Sequence, residues 1–240
     1  DVYKRQGKWY WEHLSVAFHN PGGDETHNVG VNIAQPDIDG SDRGGRSTGI
    51  TYASYNGGKS VEADSTASYG SAWAEGDIVG IDFGVFKDGF YADGAFTFTV
   101  GNVDKKVDEL IKVTKESLNL GISKAKPGNK LFDISKTIQE FVEKNGFSVV
   151  TDFVGHGIGR SLHEDPQIPN FVTSNDDRED SIDLKEGMVL AIEPMVNMGE
   201  YEVFVSPDDK WTVKTKDGSW SAHFEHTIAI TSKGPMILTN

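Results

Sequence analysis

Two aspartates stand eleven positions apart in EGDIVGIDFGVFKDGFYADGAF, residues 75–96, where apolar and aromatic residues otherwise dominate. Between them, Asp88-Gly89 is a strong two-residue hairpin signal. Such a loop pairs residue 87 with 90 and residue 84 with 93. Asp82 and Asp93 then share one face as diagonal neighbours, roughly 7–8 Å apart. Two carboxylates so placed repel each other unless a cation lies between them. The plainer alternative is that Asp82 merely ends a strand and Asp93 merely follows a turn.

Three further sites carry the same kind of residue. GHGIGRSLHEDP, residues 155–166, sets His156 between two glycines and His163 seven positions on. Glycine lets backbone approach an ion or substrate closely, and an imidazole there can point inward. VLAIEPMV places Glu193 in the middle of an apolar strand, and HFEHTIAI places Glu225 in another. An ionised carboxylate in such a strand is costly unless it is paired or metal-bound. Each histidine also fits an ordinary core or surface role, and each glutamate a buried ion pair, although few basic residues are near in sequence. Taken together, Asp82, Asp93, His156, Glu193 and Glu225 supply what a pair of divalent ions about 3.5–4 Å apart requires. With no cysteine in the chain, the ligation is oxygen-dominated. It favours manganese, iron(II) or cobalt, with zinc left open.

The elements that must hold these residues divide at about residue 75. From Gly7 to Trp73 there is no helical period, and short β-prone pieces (KWYWEHLSVAF, VGVNIA, GITYASY) alternate with Gly, Asp, Asn and Ser clusters. After Asp93 the pattern turns helical. In DKKVDELIKVTKESLNLG, Val107, Leu110, Ile111, Thr114 and Leu118 form one stripe, with Gly121 as its expected stop. FDISKTIQEFVEKNG repeats the pattern with Ile134, Ile138, Phe141 and Val142, Asp133 as expected N-cap and Gly146 as stop. The strands FSVV, MVLAIEPMV, WTVKT and HFEHTIAIT follow. Two helices and then several strands predict an α+β fold.

The 240 residues carry a net charge of −14, which argues against binding nucleic acid through its phosphates. No apolar run approaches the roughly 18 residues of a membrane span. The absence of cysteine fits a reducing compartment. The opening DVYKRQ lacks an initial Met and fits nothing downstream, so it reads as a fragment edge or a reading artefact rather than a native start.

Two resemblances bear on these halves. GKWYWE, VGVNIA and SYNGGKS resemble the first strands of SPRY-type, concanavalin-like β-sandwich modules over residues 7–81. From about Gly76 to the C-terminus the chain is similar to the type I methionine aminopeptidases. The motifs that carry this second likeness are IDFGVFKDGFYADGAFTF, VGHGIGRSLHEDPQIPNF, GMVLAIEPMVN and WTVKTKDGSWSAHFEH, in the family's order around a helix pair. The resemblance implies the pita-bread fold, with Asp82, Asp93, His156, Glu193 and Glu225 as ligands of two divalent ions. Glu193 would also act as general base for a metal-activated hydroxide. His163 would stabilise the tetrahedral intermediate, and Trp211 would lie near the substrate pocket. It further implies removal of N-terminal methionine from peptides and nascent proteins by a cytoplasmic monomer. HEDPQIPNF and WTVKTKDGSWSAHFEH favour this family over proline dipeptidases of the same fold.

The match departs from the family before Gly76, where the helices and substrate-contacting histidine of the first pita-bread half are not found. His13, His19 and His27 lie in unrelated surroundings. The expectation is a chimera of a β-rich segment, residues 1–75, and a metallopeptidase-like domain, residues 76–240. Its seam would fall within residues 75–82, where both families carry a similar strand. An inactive chimera whose first segment belongs to a binding module is the alternative to an active enzyme.

Overall fold

The structure, a computed structural model, describes residues 76–207, 210 and 212–239, with the backbone of three short strands nearer the N-terminus. Those strands are β1 (His13–Ala17), β2 (Val29–Asn32) and β3 (Thr51–Ser54). β2 pairs with β3, and β1 lies parallel to β4 (Ile78–Lys87). The rest of the segment read as SPRY-like lies outside the described residues.

β4 and β5 (Phe90–Thr99) form the hairpin that the Asp-Gly pair predicts. Lys87 pairs with Phe90 and Gly84 with Asp93, while Asp82 faces Ala95. Asp88 and Gly89 both take positive φ, 53° and 84°, the backbone that matches strand twist in a two-residue turn. This register makes Asp82 and Asp93 the expected diagonal pair.

Two helices follow, α1 (Lys105–Lys124) and α2 (Leu131–Lys144). Asp104 caps α1 by accepting from the Lys106 amide at 2.8 Å. The predicted stripe is buried at Val107, Leu110, Thr114 and Leu118. Gly121 is not the stop: α1 continues past it to Lys124. A Cβ at Gly121 would stand 2.7 Å from Ile138 Cδ1 of α2, so the glycine serves close helix packing rather than termination. Asp133 is likewise not the N-cap of α2. Lys130 holds that position, and Asp133 reaches back from the third residue to accept the Lys130 amide at 2.8 Å. Arg178 grips the same carboxylate through Nε and Nη2, both at 2.7 Å. Gly146, with φ 79°, does follow the end of α2.

The remaining strands are β6 (Ser148–Val149), β7 (Gly155–Gly157), β8 (Glu164–Ile168), β9 (Val189–Ile192) and β10 (Met195–Asn197). After them come β11 (Val203–Val205), β12 (Val213–Thr215), β13 (Ser221–His223), β14 (Glu225–Thr231) and β15 (Gly234–Ile237). Among the described residues the main sheet runs β1-β4-β5-β14-β9-β7-β8, with β15 also on β14. A smaller sheet runs β13-β10-β6. Leu110, Leu118, Ile134 and Ile138 of the helices and Leu190, Ile192, Ile228 and Ile230 of the sheet join in one buried core.

Two segments predicted as single strands are each broken in two. MVLAIEPMV changes sheets at Glu193-Pro194, between β9 and β10, because proline cannot donate to the ladder. HFEHTIAIT changes sheets at Phe224, between β13 and β14. Glu193 therefore stands at a crossing between two sheets, not in mid-strand.

Candidate metal centre

The two crossings bring the acidic residues together. Asp93 in β5, His156 at the centre of β7 and Glu225 at the start of β14 offer ligand atoms within 4.8 Å of one another, and all three are buried. One sheet supplies all three: Glu225 of β14 pairs with Ala95 of β5, and His156 of β7 pairs with Ala191 of β9, the strand between β14 and β7. Glu193 joins from the end of β9, with Oε1 3.5 Å from His156 Nε2. His156 Nε2 also lies 3.9 Å from Asp93 Oδ2. Asp82 is half-buried on β4 and close enough to act electrostatically on both glutamates.

The backbone around these side chains is tied down from several directions. The buried Thr227 hydroxyl accepts the Asp93 amide and donates to the Asp93 carbonyl, both at 2.8 Å. Asn170, fully buried, donates to the Glu193 carbonyl at 3.1 Å. His156 Nδ1 lies 2.9 Å from the Gly157 carbonyl. Donation there leaves Nε2 as the lone-pair nitrogen that faces the carboxylates.

The glycines flanking His156 are required by space. A Cβ on Gly155 would collide with the Ala191 carbonyl oxygen, and one on Gly157 with the Asp165 carbonyl oxygen. Backbone cannot yield as a side-chain tip can. Gly157→Ala is expected to cost about 1–3 kcal/mol through overpacking and to displace the His156 ring. Urea unfolding and a Mn(II) titration of the variant check both effects.

Burial is the largest cause raising the Glu193 carboxyl well above its ordinary range, followed by Asp82 and Asp93. Glu225 is also raised well above its range, by burial first and then by Glu193, Asp93 and Asp82. Among the described residues, Glu193 makes its ion-pair contacts with histidines only, and Glu225 Oε1 is buried with no hydrogen-bond partner. Crowded anions of this kind fit divalent cations far better than they fit an apolar core. The donor set of carboxylate oxygens and one imidazole suits hard or borderline ions.

A cavity of about 390 Å³ opens beside this cluster. Asp82, His156, His163 and Glu193 form part of its wall, and Phe153, Val154, Met195 and Val213 form an apolar side. His163 is exposed, with its ring centroid 4.3 Å from that of His156. Trp211 lies outside the described residues. His223 also borders the cavity and is buried, yet sequence reading passed over it. The sequence carries no signal for it, because the chain changes sheets at Phe224, between His223 and Glu225.

The sequence model of metallopeptidase family M24 matches residues 37–232, a span that begins inside the segment read as β-rich. The methionine aminopeptidase of Clostridium perfringens is 56% identical over 165 residues, which are 69% of this chain and 64% of that protein. The crystal structure of methionine aminopeptidase from Thermotoga maritima superposes with a TM-score of 0.65 at 49% identity, covering 73% of this chain and 67% of that one. That from Rickettsia prowazekii gives a TM-score of 0.65 at 45% identity, over 69% and 65% of the two chains. These likenesses bear out the α+β, pita-bread expectation for the matched region. The chain thus spans 64% of the length of the Clostridium perfringens relative. The breadth of the family match, together with the buried acidic cluster, places the sequence: the chain belongs to metallopeptidase family M24.

Proposed function

We propose that the chain is a metal-dependent aminopeptidase that removes methionine from the N-termini of peptides and nascent proteins. The observation that carries this reading is the convergence of Asp93, His156 and Glu225, with Glu193 beside them, next to an apolar-sided cavity whose wall includes Asp82, His156 and Glu193. Identity of 56% to a methionine aminopeptidase supports the substrate class. Asp82, Asp93, His156, Glu193 and Glu225 would hold two divalent ions, of manganese, iron(II), cobalt or zinc. When bound, the ions would lower the pKa of a water to near neutrality and polarise the scissile carbonyl.

The protein's own groups supply the rest. Glu193 takes the proton of the attacking water at a carboxylate oxygen and passes it to the departing amine. With cations bound, the Glu193 carboxylate would stay ionised, the state in which it can accept that proton. His163, at the exposed side of the cavity, donates to the carbonyl oxygen as negative charge develops there. The apolar wall around Phe153 and Met195 receives the side chain of the first residue and excludes water from it.

The test is release of free methionine from a Met-Ala-Ser peptide with Mn(II) or Co(II), alongside a Met-Pro dipeptide. Metal-dependent release from the tripeptide, suppressed by EDTA, is expected. No release with either ion would overturn the reading. Faster cleavage of Met-Pro would replace it with a proline dipeptidase of the same fold.

A further inference from the structure

Glu193 stands between two imidazoles. His156 Nε2 lies 3.5 Å from Oε1, and His223 Nε2 lies 3.7 Å from Oε2. His156 is one of the five proposed ligands, whereas His223 belongs neither to that set nor to the Asp93–His156–Glu225 group. Its surroundings nevertheless hold it as firmly as any of them. It is 2% exposed. The Thr97 hydroxyl donates to its carbonyl at 2.8 Å and accepts its amide at 3.0 Å. On its other side His223 pairs with Met195 of β10, two residues beyond Glu193. Thr97 lies on β5, four residues after Asp93. The strand that carries one candidate ligand thus fixes the backbone of His223.

The terminal torsion of a glutamate is broad and roughly two-fold, so its backbone alone does not set the plane of the carboxylate. Asn170 pins only the Glu193 carbonyl. We propose that His223 is a positioning residue: its Nε2–H donates to Glu193 Oε2 and so fixes the carboxylate plane, leaving Oε1 turned toward His156 and the metal cluster. The 3.7 Å separation is about half an ångström beyond a hydrogen bond, a gap closed by a small rotation of either ring or carboxylate. Partners of this kind orient a metal-binding side chain, and losing them weakens the metal by about 10–100-fold. The inference rests on the proposed function only in taking Glu193 as a metal ligand.

Two donor-free variants, His223→Leu and His223→Met, and one donor-retaining variant, His223→Gln, test it. Isothermal titration with Mn(II) is the first readout, and Met-Ala-Ser hydrolysis the second. The Leu and Met variants are expected to bind Mn(II) at least about tenfold more weakly and to lose kcat with little change in KM. Gln, which retains a donor, is expected to recover most of both. Unchanged Mn(II) binding in a folded donor-free variant would overturn the proposal, as would a Gln variant as impaired as the Leu variant. If Mn(II) binding follows the expected order but no peptide is cleaved by the unaltered chain, the hydrolase reading fails and the positioning role stands. If the unaltered chain binds no Mn(II), both fail.

Discussion

Glu193→Ala is expected to lower kcat for Met-Ala-Ser hydrolysis by about 10²–10⁴-fold from loss of the general base, and further if a metal ligand is lost with it. The same substitution is expected to stabilise the metal-free fold at neutral pH. Glu193 is raised by burial and by Asp82 and Asp93, and it in turn is the largest electrostatic cause raising Glu225. Removing one member of that crowd relieves repulsion on the others, and among the described residues the ion-pair contacts of Glu193 are with histidines rather than Lys or Arg. Loss of activity with a gain in thermal midpoint is the signature of a site built for chemistry against the interest of stability. The two measurements are single-turnover kinetics with saturating Mn(II) and thermal unfolding in EDTA. A variant that retains activity, or that is less stable than the unaltered chain without metal, would refute the role assigned to Glu193.

The cluster was legible in the sequence because its residues violate the rule governing their neighbours. A carboxylate amid Val-Leu-Ala-Ile or Thr-Ile-Ala-Ile is expensive, and the expense points to a ligand. The hairpin was legible because Asp88-Gly89 alone fixes both loop and register, and with them the diagonal relation of Asp82 to Asp93. What sequence did not reveal depends on contacts between distant elements. Gly121 looks like a helix stop until Ile138, from another helix, is seen to fill the space beside it. Asp133 looks like an N-cap because a carboxylate three residues into a helix caps by reaching backward, and Arg178 then holds it in place. The breaks at Glu193-Pro194 and Phe224 are hidden because the apolar pattern continues across them while the chain changes sheets. His223 was overlooked for the same reason: it is the last residue of β13, and its partner Glu193 precedes it by thirty residues.

Without metal, the chain is expected to lose stability as pH rises through the range above the ordinary glutamate value near 4.5. The sign follows from proton counts. Glu193 and Glu225 have folded-state values raised above their unfolded ones, so the folded chain holds protons that the unfolded chain has already released. Stability then falls with pH until the folded values are passed. Asp133 and Asp217, lowered in the fold, contribute in the opposite sense near and below 3.8. His226, lowered by burial, opposes the trend only below 6.5 and is one half-buried ring against two carboxylates. The metal-free optimum therefore falls on the acid side of neutrality. Divalent ions reverse the slope, because they bind the ionised carboxylates and displace those same protons. Mn(II) at a hundredfold excess over its Kd contributes about 2.7 kcal/mol per site, or about 5–10 °C in thermal midpoint for a chain of this size. The metal-induced shift is expected to shrink steadily from pH 8 to pH 5. Thermal melts in EDTA and in Mn(II) across that range decide the matter, and a shift that is independent of pH would mean that the buried glutamates do not hold the ion.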